Sequence, residues 1–438
     1  VRAVALRQAP QWRDPVEALS PFADEPDAVL LLSGADGWSY LLRQPNARLT
    51  GAEADPLAAL AQLVGPAGAV HPDGPPFQGG VVGLAAYELG GRIEPLALKS
   101  TAWPDLHAAF YDALLAFDHP GRRILAVGRG ASDTDAEARA RVALSWLDET
   151  LQPARAGRLA SDFEPEPAQA YEAAVADVIG RIAEGELFQA NIARAWRGRL
   201  ASGAKPFDVF ARLAGQSPAP FAAYVRLDDR AVASNSPERF LSVADGMARS
   251  QPIKGTRPRG ATAAEDAALA RELAASPKDR AENLMIVDLM RNDLSRVCDP
   301  GSIRVPLLCE LQSFANVHHL VSTVEGRLVS GAGPADLLRA AFPPGSITGA
   351  PKVQAMRVIS ALEAPRGPYC GALFWAGVDG RFDSSVLIRT VVFEQTAEGW
   401  VLEARAGAGI VADSEPRAER LETEDKIAAI ARALTEDA

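Results

Sequence analysis

Short apolar runs separated by turn residues dominate the first 150 positions. AVLLLSG (28–34), GWSYLL (37–42), GGVVGLAAYEL (79–89), AFYDALLAF (109–117) and RILAVGRG (123–130) are bounded by Gly, Asp and Pro and predict strands. TDAEARARVALSWLDETLQ (134–152) has helical periodicity instead. PARAGRLASDFEPEPAQA (153–170), rich in Pro, Ala and charge, is the best linker candidate and separates regions 1–160 and 165–438. Beyond it, YEAAVADVIGRIAEGEL (171–187) predicts an amphipathic helix with Val175, Ile179 and Ile182 on one side. There is no internal repeat. Strands and helices mix without a βαβ rhythm, so the expected class is α+β.

Further along, SPKDRAENLMIVDLMRNDLSRV (276–297) opens like a helix, with Ser276 as cap, Pro277 in the first turn and Asp279 completing a box-like cap. Ile286, Met290, Leu294 and Val297 form its apolar stripe, and Glu282 lies one turn in. DSEPRAERLETEDKIAAIARAL (413–434) predicts a second helix capped by Asp413 or Ser414. On it Glu419, Glu422 and Lys426 share one face. Both faces suit a solvated helix surface, yet two carboxylates a turn apart also suit Mg²⁺, which takes few protein carboxylates. VLEARAGAGIV (401–411) predicts a strand in which Gly407 and Gly409 would let backbone N–H groups approach an anion. GPYCGALFWAG (367–377) and FDSSVLIRTVVF (382–393) predict a strand pair, with Arg389 inside an apolar strand as a structural partner or a fork for an anion.

Composition sharpens this picture. The net charge of −11 argues against nonspecific nucleic-acid binding, so an anionic substrate would need a local basic cluster. No apolar run is long enough to span a membrane, and three unevenly spaced cysteines make no disulfide or zinc pattern, so a cytoplasmic protein is expected. AGAGIVA (406–412) fits a dinucleotide fingerprint but is followed by no helix start, and PGSITGAPK (344–352) lacks the order of a phosphate loop. His318 and His319 are the one histidine pair, without a second cluster at metal spacing. No Gly-x-Cys-x-Gly elbow encodes a glutaminase.

Of 45 basic residues only six are lysines, and one is Lys254 in QPIKGTRPRG (251–260). An amine can lose its proton and attack carbon; a guanidinium cannot. With an ordinary pKa, only about 0.1% of a lysine is neutral near neutral pH, a cost of roughly 4 kcal/mol that burial and nearby cations would reduce. Glu238 in SNSPERF (234–240) is a turn-borne carboxylate able to act as general acid. A loop cation and its ion-pair partner would explain the same residues.

GELFQANIA, SNSPERF, QPIKGTRPRG, KDRAENLMIVDLMRNDLSRV, VHHLVSTVEG, FPPGSITGAPK, RGPYCGALFWAG, VLIRT and AGAGIVADSEPRAERLETEDK, in that order, resemble the chorismate-utilising enzyme family over nearly all of 170–430. LLLSGADGWSYLL and FQGGVVGLAAYELG are similar to the N-terminal region of its anthranilate- and aminodeoxychorismate-forming large subunits. The resemblance implies two packed antiparallel β-sheets in a large sandwich, helices outside and the site in a cleft. Anthranilate-forming members typically carry Ala where this chain has Lys254, and PIKGT marks the aminodeoxychorismate branch. The implied reaction therefore joins chorismate and ammonia into 4-amino-4-deoxychorismate, toward p-aminobenzoate and folate. An anthranilate-forming enzyme and a non-catalytic chorismate-binding subunit are the alternatives.

In the implied mechanism Lys254 is the nucleophile, Glu238 the acid, and His319 a histidine near the substrate. Glu282, Glu419 and Glu422 correspond to Mg²⁺ carboxylates; Gly255, Thr348, Tyr369, Arg389, Gly407, Gly409 and Lys426 correspond to substrate-binding positions. A glutamine amidotransferase partner would supply ammonia. The large subunits often carry Leu-Leu-Glu-Ser, tied to a tryptophan pocket, where this chain reads LLLSG without the Glu.

Overall fold

The computed structural model describes residues 3–34, 37–49, 51–153, 155–313 and 317–436; position 154 of the expected linker lies outside them. Two antiparallel sheets of twelve and ten strands, counted among the described residues, stack face to face with helices on both outer surfaces. The α+β sandwich expected from the sequence is the architecture found.

Period-two patterning builds the layers. Along Gly80–Ala85, Val82 and Leu84 enter the core between the sheets while Val81 and Ala85 face the outer helices. Along Ala113–Asp118, Leu114 and Ala116 point between the sheets and Leu115 and Phe117 point outward. One outer core packs Leu19, Phe210, Leu213, Ile427 and Ile430 on the larger sheet; the other packs Ile286, Met290, Leu338 and Ile359 on the smaller. The region before position 160 supplies strands to both sheets. Ala3–Gln8, Val29–Leu31, Trp38–Leu42, Ala113–Asp118 and Arg123–Gly130 join the larger; Ala47–Leu49, Gly80–Ala85 and Leu106–Tyr111 join the smaller.

Two apolar runs that read as single strands are each two. AFYDALLAF breaks at Asp112, so that Leu106–Tyr111 lies in the smaller sheet and Ala113–Asp118 in the larger. Buried Asp112 holds this corner by accepting from Asn46 Nδ2 at 2.6 Å and pairing with Arg139 at 2.6 Å. FDSSVLIRTVVF breaks likewise: Phe382–Val386 belongs to the smaller sheet and Thr390–Thr396 to the larger. Arg389 therefore sits in the corner, in a left-handed conformation with φ 50°, and not within a strand. Arg230–Ser236 and Arg239–Ala244 make the same passage beside it, with Glu238 in the gap.

Other expectations need local correction. The linker candidate contains the strand Ala160–Pro165, which pairs with Gln189–Leu200 at the border of the larger sheet. Its charge and prolines fit an exposed edge as well as a loop. The helix Pro277–Ser295 begins as expected, with Ser276 accepting from the Asp279 N–H. The last helix, Pro416–Thr435, has Glu415 in the cap position without a side-chain cap bond, because the Ser414 hydroxyl accepts from Val411 N–H instead. Gly407 and Gly409 lie within the strand Gly399–Ile410, and no helix opens there. All three cysteines are free and buried. Among the described residues no helix is long and apolar enough to cross a membrane.

Glycine permits a close helix-to-sheet contact. A methyl group on Gly128 would lie 2.1 Å from the Ala136 carbonyl oxygen and 2.2 Å from Ala140 N, both in the helix Asp133–Ser145. Gly128→Ala is expected to lever this helix off the sheet and cost about 2–3 kcal/mol. Urea unfolding measures it; a midpoint equal to wild type would refute the packing argument.

Candidate active site

At one end of the sandwich the strand Ile253–Pro258 of the smaller sheet approaches the strands Gln189–Leu200 and Gly399–Ile410 of the larger. The helices Pro277–Ser295 and Pro416–Thr435 add Glu282 and the Glu419, Glu422, Lys426 face. A Cβ on Gly409 would lie 2.1 Å from Gln189 Nε2, so glycine makes room for that amide, and Lys254 Nζ stands 3.5 Å from the same position. Gly407 is similarly crowded: a Cβ there would meet Asn191 Oδ1 at 2.6 Å and the Tyr369 hydroxyl at 2.9 Å. Lys426 Nζ donates to the Gly407 carbonyl at 2.9 Å and pairs with Glu422 at 2.5 Å, tying the last helix to this strand.

The electrostatics differ from those of a surface. Lys254 retains some accessible surface, yet protein crowds its ammonium on most sides. Burial pushes its pKa down even though Glu282, Glu238 and Glu422 pull upward; Lys426 adds to the depression. Among the described residues its amine has no ion-pair or hydrogen-bond partner. Glu238, 5% exposed, is pushed up to about 7 by burial, against the opposing Ser346 hydrogen bond and the charge of Lys254. Ser346 Oγ donates to Glu238 Oε1 at 2.6 Å. Glu238 thus keeps a substantial protonated fraction near neutrality, as a proton donor requires.

The three acidic candidates respond to one another. Burial raises Glu282, with Lys254 opposing and Glu422 adding to the rise. Burial also raises Glu419, whose bond to Ser414 opposes the shift and whose neighbour Glu422 reinforces it. In Glu422 burial is outweighed by Lys426, and the pKa falls. Among the described residues no three acidic, histidine or cysteine side chains are close enough to form a ready metal cage. The carboxylates nonetheless fit a hydrated divalent cation. Glu422 raises the pKa of both Glu282 and Glu419, so the three lie near one another and repel, and Mg²⁺ completes its shell with water and substrate oxygens.

The remaining candidates surround this group. His319 is buried and accepts or donates at 2.8 Å with Thr256 Oγ1; burial and then the Arg389 charge lower its pKa to about 4, so it is a neutral imidazole. Arg389 has no ion pair or hydrogen bond to its guanidinium among the described residues, and burial lowers its pKa. A desolvated, unpaired guanidinium is suited to a carboxylate. Gly255 has φ 85°, and a Cβ there would lie 2.9 Å from that of Asp279, so glycine allows the lysine strand to pass close to the helix carrying Glu282. Tyr369 is buried; Thr348 is fully buried and donates to the Pro344 carbonyl at 2.8 Å.

Sequence reasoning missed four contributors. Gln189 and Asn191 are buried on one face of Gln189–Leu200, and among the described residues their side-chain carbonyl oxygens find no donor. Two polar residues at i and i+2 in a buried strand are a signal that was present in GELFQANIA. Ser346 is recognisable only once the fold sets it against Glu238. Lys278, exposed on the helix that carries Glu282, acts on all three carboxylates through space.

With this geometry established, the chain can be set beside known proteins. A profile of the family described as chorismate binding enzyme matches residues 26–432. The chain is 40% identical over 436 residues to aminodeoxychorismate synthase component 1 of Klebsiella aerogenes, covering 93% of this chain and 94% of the relative. It is 38% identical over 449 residues to anthranilate synthase component 1 of Streptomyces coelicolor, covering 96% and 86%. In structure it is similar to anthranilate synthase component I from Streptococcus pneumoniae, with a TM-score of 0.80, 29% identity and coverage of 90% and 92%. The chain belongs to the chorismate binding enzyme family.

Proposed function

We propose that this chain converts chorismate and ammonia into 4-amino-4-deoxychorismate, with Lys254 as nucleophile and Glu238 as acid. The observation that carries the reading is the pairing of a desolvated amine, unpartnered among the described residues, with a buried carboxyl group whose pKa is pushed up to about 7. Neither state is useful to a structural ion pair; both are needed for displacement at carbon.

Chorismate brings two carboxylates. Arg389 and the backbone beside Gly407 and Gly409 suit one of them, with the Tyr369 hydroxyl alongside. Glu282, Glu419 and Glu422 would hold Mg²⁺, which when bound neutralises the ring carboxylate. Neutral Lys254 Nζ forms a bond to carbon 2 as both ring double bonds shift, from C1=C2 to C1=C6 and from C5=C6 to C4=C5, and the carbon 4 hydroxyl departs. Glu238 gives that hydroxyl its proton, so it leaves as water. Ammonia then bonds to carbon 4, both double bonds shift back, and the carbon 2–nitrogen bond breaks to return Lys254. The enolpyruvyl ether is untouched.

The names of the component 1 relatives imply a partner subunit. We assign ammonia supply to a glutamine amidotransferase. The chain alone is therefore expected to turn over chorismate with ammonium but not with glutamine. An added lyase reveals the product as p-aminobenzoate, whereas anthranilate fluorescence without lyase would favour the anthranilate-forming reading.

Lys254→Ala and Lys254→Arg should each lower kcat by roughly 10³-fold or more and abolish a substrate adduct on this residue in quenched turnover mixtures. Full activity in either variant removes the nucleophile assignment.

Glu238 should trade stability for chemistry. Its folded pKa is raised, so its contribution to stability is present at low pH and is lost as pH rises through about 7. Glu238→Gln is thus expected to be more stable than wild type at pH 8, by on the order of 2–3 kcal/mol, and equal to it near pH 4. The same change should remove most activity, together with the fall in kcat/KM as pH rises through about 7. Equal stability at pH 8 would contradict the burial argument, and unchanged kcat/KM the role.

A further inference from the structure

Behind the substrate-facing residues lies a buried ionic knot that the mechanism above does not use. Arg366 is 3% exposed and its guanidinium satisfies four acceptors. Nε and Nη2 fork onto Glu363 at 2.9 Å each. Nη2 also donates to the Asn191 carbonyl at 2.7 Å, and Nη1 to the Ile347 carbonyl at 3.2 Å. The same cation stands 4.7 Å from the Tyr87 ring centroid and 5.8 Å from that of Tyr369. Glu363 in turn accepts from Ala193 N–H at 2.8 Å.

The backbone of this knot is gripped from the N-terminal region. Glu88, in the 3-10 turn Tyr87–Leu89, accepts from the N–H groups of Arg366 at 2.7 Å and Gly367 at 3.0 Å. Tyr87 N–H donates to the Gly367 carbonyl at 2.8 Å, and Tyr369 N–H to that of Arg366 at 3.3 Å. The turn that presents Tyr369 is thereby fixed from both sides.

We propose that Arg366, clamped by Glu88, is a positioning residue for chorismate binding. Its fork joins three separate walls of the site: Asn191 on the strand Gln189–Leu200, Ile347 beside Thr348 and Ser346, and the turn leading to Tyr369. Lysine cannot replace it, since a point charge with three donors does not span a carboxylate and two carbonyls lying in different directions. Arg366 contacts neither Lys254 nor the Glu238 side chain. Its loss should therefore loosen substrate binding more than it slows bond making. The GGVVGLAAYEL segment of the N-terminal region then serves the catalytic site directly, as a strut.

The inference rests on chorismate being the substrate, and the full-length chain with chorismate, Mg²⁺ and ammonium tests it. Arg366→Lys is expected to raise KM for chorismate by at least about tenfold while kcat stays within about threefold. Glu88→Gln should shift KM in the same direction by a smaller factor. Loss of a buried fork also weakens folding, so Arg366→Met combined with Glu363→Gln is the control. With no charge stranded, its melting temperature should return toward wild type while KM stays elevated. A KM within twofold of wild type in folded Arg366→Lys, or one restored in the double variant, overturns the proposal. If the wild type binds chorismate without turning it over, the functional reading fails separately. Calorimetric Kd then replaces KM under the same tenfold criterion.

Discussion

Everything at the site depends on strands that leave one sheet and enter the other. A residue in such a corner is outside both hydrogen-bond ladders, yet packed on all sides by two sheets. Glu238 and Arg389 occupy neighbouring corners of this kind. The two corners are sewn together: Val386 N–H donates to the Glu238 carbonyl at 3.1 Å and Asn235 N–H to that of Arg389 at 3.0 Å. This leaves the side chains free to face the cleft. It also limits their access to water, which raises the Glu238 pKa to about 7 and, among the described residues, leaves the Arg389 charge without a counterion. The cost is a left-handed backbone at Arg389, of a size that surrounding sheet packing can sustain.

Charge in the cleft is balanced narrowly. Lys254, Lys278, Lys426 and Arg389 lie near Glu238, Glu282, Glu419 and Glu422, but among the described residues close pairing is confined to Lys426 with Glu422. The others act over longer range, and burial decides the direction of their shifts. A cluster of tight ion pairs would bind a dicarboxylate poorly, because each pair would have to break first. Here the unpaired cations can accept new partners and the unpaired carboxylates a cation. Arg366 and Glu363 show the opposite arrangement a short distance behind: a closed, fully bonded pair that fixes backbone and reacts with nothing.

Much of this was legible in the residues, and what was hidden follows a rule. Alternation set the sheets and the caps set the helix at Pro277–Ser295. Lys254 stood out against 39 arginines, whereas Glu238, Glu282, Glu419 and Glu422 read equally well as ion-pair or surface carboxylates and gained their expected roles only through the family resemblance. The corners were not visible. VLIRTVVF carries no glycine at its turn, and AFYDALLAF stays apolar across Asp112, so continuous patterning concealed a change of sheet. Periodicity reports which face is buried, not which sheet does the burying. For the same reason Gln189, Asn191, Ser346 and Arg366 escaped notice: their importance comes from partners distant in sequence.

The use of cations in this chain follows from the same physics. Where a positive charge must fork between fixed acceptors, as at Arg366, or face an incoming carboxylate, as at Arg389, the chain places arginine. Three of its six lysines gather at the cleft instead: Lys254, Lys278 and Lys426. An ammonium is a compact charge whose proton can be withdrawn by burial, whereas a guanidinium stays charged under the same desolvation. Elsewhere lysine serves as an ordinary cation, as at Lys352, which pairs with buried Asp293 at 2.6 Å. At Lys254 the proposed reaction needs lysine, because only an amine can give up its proton and form a bond to carbon.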